Sequence, residues 1–205
     1  MKFKTQVQDF SLKLGLVQGI SERRATMPVL SHVLITLKNN KIEISATDLE
    51  TTMSTWCDAE VQKEGSLAIP ARKLYEIVKE LPDGQIEIEE IGNHWVEIRS
   101  SSANFKIAGL PSEDFPIIPE LHSDNLFSVE SFLIEDMISK TIFAVSPDEL
   151  RRNLAGIFFE VSSEKNLRLV ATDGHRLAMC TLVKELQIGE DTQVILPRKG
   201  VLELA

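Results

Sequence analysis

Apolar residues recur along this chain at two spacings, and the alternation between them sets out the elements. Period-two runs at 33–37, 42–46 and 51–61 predict consecutive antiparallel strands, with Asn39 and Asn40 forming the first turn. Before them, residues 1–8 alternate as an edge strand, and Phe10, Leu12, Leu14, Leu16 and Val17 give a mixed pattern that predicts a short helix ending at Gly19. Pro28 prevents that helix from being resumed after the loop carrying Arg23 and Arg24. A second set follows in the same order. It comprises a strand at 66–69, a helix started by Pro70, and strands at 86–88, 95–98 and 104–108. In that helix Leu74, Ile77, Val78 and Leu81 fall at i, i+3, i+4 and i+7, opposite Arg72, Lys73, Glu76 and Lys79.

The stretch 110–120 is rich in proline and acid and predicts an extended connector, because each proline disfavours helix at the residue before it. Beyond it the pattern restarts with a strand at 126–128 and a helix at 129–141 with Ser128 as N-cap. Ser146, Pro147 and Glu149 fit a capping box that predicts a short helical turn, and strands follow at 156–161, 167–171 and 176–183.

Three matches tie the two stretches together. Asp48 in Ala-Thr-Asp and Asp173 in its copy lie 125 positions apart, and Pro70 and Pro197, each opening Pro-(Ala)-Arg-Lys, lie 127 apart. Leu30, Val33 and Ile35 align with Leu154, Ile157 and Phe159 at an offset of 124. One order at nearly one offset predicts a duplicated domain, far longer than a solenoid repeat. The expected fold class is α+β: tandem domains at 1–120 and 121–205, each of two strand-helix-three-strand halves, with helices on one face of a continuous antiparallel sheet. The second copy stops at its helix start, 197–205, so a fragment or truncated product of a longer repeat protein is expected.

Composition narrows the function. No apolar run approaches the ~20 residues of a membrane span and the start lacks a secretory leader, so a cytoplasmic protein is expected. Cys57 and Cys180 sit in strand-like runs without metal-ligand spacing and read as buried free thiols. Asp173 and His175 lie two apart, but no nucleophile elbow, glycine-rich phosphate loop or metal spacing accompanies them, and the four histidines do not cluster. Neither an enzyme nor a cofactor or metal is expected. A formal charge of −9 argues against a generally basic coat. The helical stretches 8–19, 71–80, 130–141 and 198–205 nevertheless carry 0, +1, −2 and +1, so they are neutral together while the remainder carries the whole deficit. That sign suits a helical face that tolerates phosphates.

Several blocks carry a resemblance. Arg-Ala-Thr-Met-Pro-Val-Leu at 24–30, Ala-Thr-Asp-Leu-Glu at 46–50, Asp-Phe-Pro at 114–116, Val-Ala-Thr-Asp-Gly-His-Arg-Leu-Ala at 170–178 and Pro-Arg-Lys-Gly at 197–200 resemble the bacterial sliding clamps, the β subunits of DNA polymerase III. The resemblance covers the whole chain. It implies a non-catalytic processivity factor of three such domains per chain, closed as a head-to-tail homodimer ring around double-stranded DNA and sliding without sequence specificity. This chain would hold the first domain and part of the second, with the third absent. By the same resemblance, Arg24, Arg72, Arg151, Arg152, Arg198 and Lys199 would face DNA. Leu154, Thr172, Gly174, His175, Arg176 and Leu177 would form part of a pocket for short peptide motifs of DNA polymerase and clamp-loader subunits, and Lys73, Phe105 and Ile107 a subunit edge. No membrane partner is implied. The alternative, which composition alone favours, is a protein-interaction scaffold without DNA contact.

Overall fold

A computed structural model describes residues 1–21, 27–118, 127–148, 150–162, 166–183 and 191–204. The chain forms two compact units, Met1–Ile118 and Pro119–Ala205.

The first unit runs β1 (Lys2–Gln6), α1 (Val7–Gln18), β2 (His32–Lys38), β3 (Lys41–Thr47), β4 (Thr52–Asp58), β5 (Glu60–Lys63), β6 (Gly65–Pro70), α2 (Ala71–Lys79), β7 (Gln85–Gly92), β8 (Trp95–Arg99), β9 (Asn104–Ala108) and β10 (Leu110–Pro111). The expected single continuous sheet is instead two five-stranded sheets, ordered β5-β1-β7-β8-β9 and β10-β6-β2-β3-β4. The halves exchange strands: β1 pairs with β7 of the second half, and β6 pairs with β2 of the first. Two further expectations change for the same reason. Residues 1–8 do not form an edge strand, because β5 pairs outside β1, and 51–61 is two strands belonging to different sheets, broken at Ala59, whose N–H donates to Asn40 O at 3.1 Å.

Both sheets and both helices contribute to one core, in which Phe3, Phe10, Leu14, Ile35, Ile44, Leu74 and Ile88 are fully buried. Phe3 and Phe10 meet edge to face at 5.9 Å. Asn39 and Asn40, at φ 53° and 57°, make the tight turn between β2 and β3, a conformation asparagine tolerates better than most residues. The connector is not wholly extended: Leu110 pairs with Ala68 and a 3-10 turn spans Ser112–Asp114, after which Phe115 packs on Val29 and Ala68.

The second unit has α3 (Ser131–Ser139), β11 (Gly156–Ser162), β12 (Asn166–Thr172), β13 (Leu177–Val183), β14 (Thr192–Pro197) and α4 (Arg198–Leu204). Its sheet, β13-β12-β11-β14, reproduces the order β4-β3-β2-β6 of the first unit. Gly156 opposite Pro197 repeats the pairing of His32 with Pro70. Glu130, not Ser128, takes the N-cap position of α3, and the described residues 127 and 128 are not in a strand. A 3-10 turn at Ile142–Ala144 precedes Ser146, whose hydroxyl accepts from Asp148 N–H at 3.1 Å. That bond closes a turn rather than starting a helix. Glu149, the other half of the expected capping box, lies outside the described residues, and Arg176 precedes β13 rather than opening it. Cys57 is buried, which pushes its thiol up to about 12, whereas Cys180 is only partly buried.

Candidate functional site

The two Ala-Thr-Asp segments fold into the same turn and share four hydrogen bonds. In the first unit Thr47 Oγ1 accepts from Leu49 N–H and donates to Thr51 O, while Asp48 Oδ1 accepts from the N–H groups of Glu50 and Thr51. In the second, Thr172 Oγ1 accepts from Gly174 N–H and donates to Arg176 O, while Asp173 Oδ1 accepts from His175 and Arg176 N–H at 2.9 and 3.0 Å. The residue after the aspartate is left-handed in both, Leu49 at φ 75° and Gly174 at φ 90°. Glycine adopts this conformation freely, whereas leucine does so at a cost of about 1–2 kcal/mol.

Around this scaffold the second unit adds side chains that the first lacks. Asp173 Oδ2 accepts from Arg176 Nε at 2.9 Å, and the Arg176 guanidinium lies over the Phe143 ring, 5.5 Å from its centroid. Leu177 is exposed beside it. Leu154 is half-buried, and its carbonyl accepts from Ser146 N–H just after the 3-10 turn that carries Phe143. Of the six residues expected to form a peptide pocket, the turn therefore gathers Thr172, Gly174, His175, Arg176 and Leu177 directly.

Two backbone N–H donors, then the arginine, hold the Asp173 carboxyl at about 2, down from 3.8. A depressed carboxyl stabilises the turn at pH values above 3.8, and that contribution is lost as pH falls through about 2. The amide resonances of His175 and Arg176 are expected to titrate with a midpoint near 2, and Asp173→Asn to abolish the titration. A midpoint near 4 would mean that the donors do not hold the carboxylate.

The expected DNA-facing cations divide by setting. Arg72 is exposed on α2 with Nε 2.7 Å from Glu76 Oε1, and Arg151 is exposed with Nε 3.5 Å from Asp148 Oδ2. Arg152 and Arg198 are exposed, and Lys199 is half-buried. Arg198 opens α4 with its N–H donating to Ala155 O at 3.1 Å. Arg72 and Lys73 after Pro70, like Arg198 and Lys199 after Pro197, lie in the first turn of a helix that directly follows a strand, β6 or β14. Arg24 lies outside the described residues.

Lys73 and Phe105 line one cleft of about 370 Å³ with Glu76, Ile77, Leu81 and Ala103. Ile107, two residues further along β9, instead pairs with Val96 and is buried in the core. Among the described residues there is no group of acidic, histidine and cysteine side chains able to hold a metal ion, and no helix is long and apolar enough to cross a membrane.

Residues 1–119 match the family model for the DNA polymerase III beta subunit, N-terminal domain, and residues 128–205 the model for the central domain of that subunit. The chain belongs to the DNA polymerase III beta subunit family. The beta sliding clamp of Pseudomonas aeruginosa is 37% identical over 206 aligned residues, covering 100% of this chain and 56% of that protein. The crystal structure of the DNA polymerase III subunit beta from the same organism matches with a TM-score of 0.89 at 36% identity, over 100% of this chain and 55% of that one. Caulobacter crescentus pol III beta matches with a TM-score of 0.89 at 34% identity, over 99% of this chain and 56% of that one. The chain thus spans about half the length of the relatives it matches.

Two features of this beta-subunit chain escaped the sequence reading. Phe143 reads as one more apolar residue near a helix end, and only the return of the chain from β12 places Arg176 over it. The pairing of Arg72 with Glu76 was available in the i, i+4 spacing.

Proposed function

We propose that this chain supplies the DNA-encircling and partner-capturing parts of a replicative processivity clamp: a non-catalytic cytoplasmic protein that rings duplex DNA and tethers a polymerase. The duplicated unit, matched along its length to two successive beta-subunit domains, carries this reading. In it, 1–120 and 121–205 belong to the first and second clamp domains of a homodimeric ring. Arg24, Arg72, Arg151, Arg152, Arg198 and Lys199 meet the phosphate backbone. Lys73 and Phe105 form the subunit edge, with Ile107 holding β9 to the core behind them, and Leu154, Thr172, Gly174, His175, Arg176 and Leu177 receive short peptides of polymerase and clamp-loader subunits.

A sliding protein should make few phosphate contacts and read no base edges, because tight or specific contacts would arrest it. Helices that are neutral together on an acidic chain, with cations at the starts of α2 and α4, suit that requirement. Retention then comes from topology. Loaded onto a nicked circular duplex, protein carrying this chain is expected to stay with DNA through gel filtration and to be shed once the circle is cut. Equal retention on linear DNA would overturn the reading. Arg72→Ala is expected to weaken residual DNA affinity at every sequence alike and to lower the slope of log affinity against log salt by about one, as measured by titration at several salt concentrations. The pocket is tested with overlapping peptides tiling the replicative polymerase: binders should shift the amides of 172–177, and Arg176→Ala should weaken, without abolishing, their binding.

A further inference from the structure

The comparison of the two turns separates what the fold needs from what one copy has added. A threonine, an aspartate and one left-handed residue close both turns with the same four hydrogen bonds. Thr51 stands in the first unit where Arg176 stands in the second, and its turn closes equally well. Arg176 and the aromatic ring beneath it are therefore not required for closure. Phe143 is also 55% exposed, in a 3-10 turn whose next two residues, Ala144 and Val145, are buried. A large aromatic left this open adds little to the core.

We propose that Phe143 is a positioning residue for Arg176: its ring and the Asp173 carboxylate hold the guanidinium from opposite needs, apolar face and charged edge, so that Arg176 and Leu177 meet a partner peptide already ordered. At an exposed position either contact alone is comparable with thermal energy, and a long arginine side chain held by one of them keeps most of its rotamers. Held by both, it loses less freedom when a partner arrives. The chemistry recognised is a carbonyl or carboxylate oxygen, taken by the guanidinium, next to an apolar side chain that the exposed Leu177 can meet. The inference rests on the reading of 172–177 as a peptide-docking turn and adds to it a residue and a ligand class.

The test uses protein carrying this chain with Phe143→Leu, Phe143→Met and Phe143→Tyr. The Arg176 Nε–H resonance reports ring proximity without any ligand, and fluorescence anisotropy with the tightest polymerase-derived peptide reports affinity. Leu and Met are expected to remove the ring-current shift and to weaken binding about two- to fivefold at unchanged melting temperature, while Tyr preserves both. In an Arg176→Ala background Phe143→Leu should have no further effect, the mark of action through Arg176. Native affinity in both aliphatic variants, or an equal loss in the Arg176→Ala background, overturns the proposal while leaving the docking turn in place. If no tiled peptide binds the native chain, the docking reading falls and the proposal falls with it.

Discussion

Phe10→Ala should lower the unfolding free energy of the first unit by about 3–5 kcal/mol, the range for truncating a fully buried phenylalanine. The size follows from where α1 lies. Phe10 meets Phe3 of β1 edge to face, and Leu14 and Val17 continue the same buried helix face. That face belongs to a core cluster shared by Ile44 of one sheet and Ile88 of the other. The two sheets thus share one set of helix side chains, and a void at Phe10 cannot be closed by either sheet alone. Urea denaturation followed by Trp56 and Trp95 fluorescence, both reporters in the first unit, measures the loss. A decrease below about 1 kcal/mol would show that the site collapses around the missing ring and that the shared core is looser than its burial implies. Any cation set borne by α2 depends on that core, because Leu74 and Val78 anchor the helix on its buried side while Arg72 and Lys73 face solvent.

Gly156→Ala should destabilise the second unit by about 3 kcal/mol, at the upper end for overpacking. A Cβ at Gly156 would stand 2.3 Å from Leu196 O and 2.8 Å from Ile195 Cγ2. The first neighbour is backbone, so no rotamer change relieves it and β11 and β14 must separate. Pro197 pairs with Gly156, and Arg198 N–H donates to Ala155 O, so the same shift displaces the start of α4 with its two cations. Hydrogen exchange is expected to show lost protection along β14, with β12 and β13 less affected because their pairing lies on the far side of β11. Uniform protection in the alanine variant would mean that this seam accommodates a methyl group and does not fix the position of Arg198.

The sequence by itself determined what depends on neighbours within a few residues. Period-two runs located the strands around Val33, Ile44 and Leu167, and the 3.6 period located α2, because one face of each must be buried. The Thr-Asp turns were legible as a repeat for the same reason: each closes with bonds spanning no more than four residues, so equal letters give equal geometry. Tertiary structure alone decided which strands met. A strand carries no local record of its partner, so the pairing of Phe3 with Ile88 of the other half was invisible, and with it the division into two sheets. It also decided how far along β9 the core reaches, burying Ile107 while leaving Phe105, two residues earlier on the same face, open in the cleft with Lys73. Phe143 under Arg176 belongs to the same class, since two residues 33 positions apart acquire a joint role only when the sheet between them has folded.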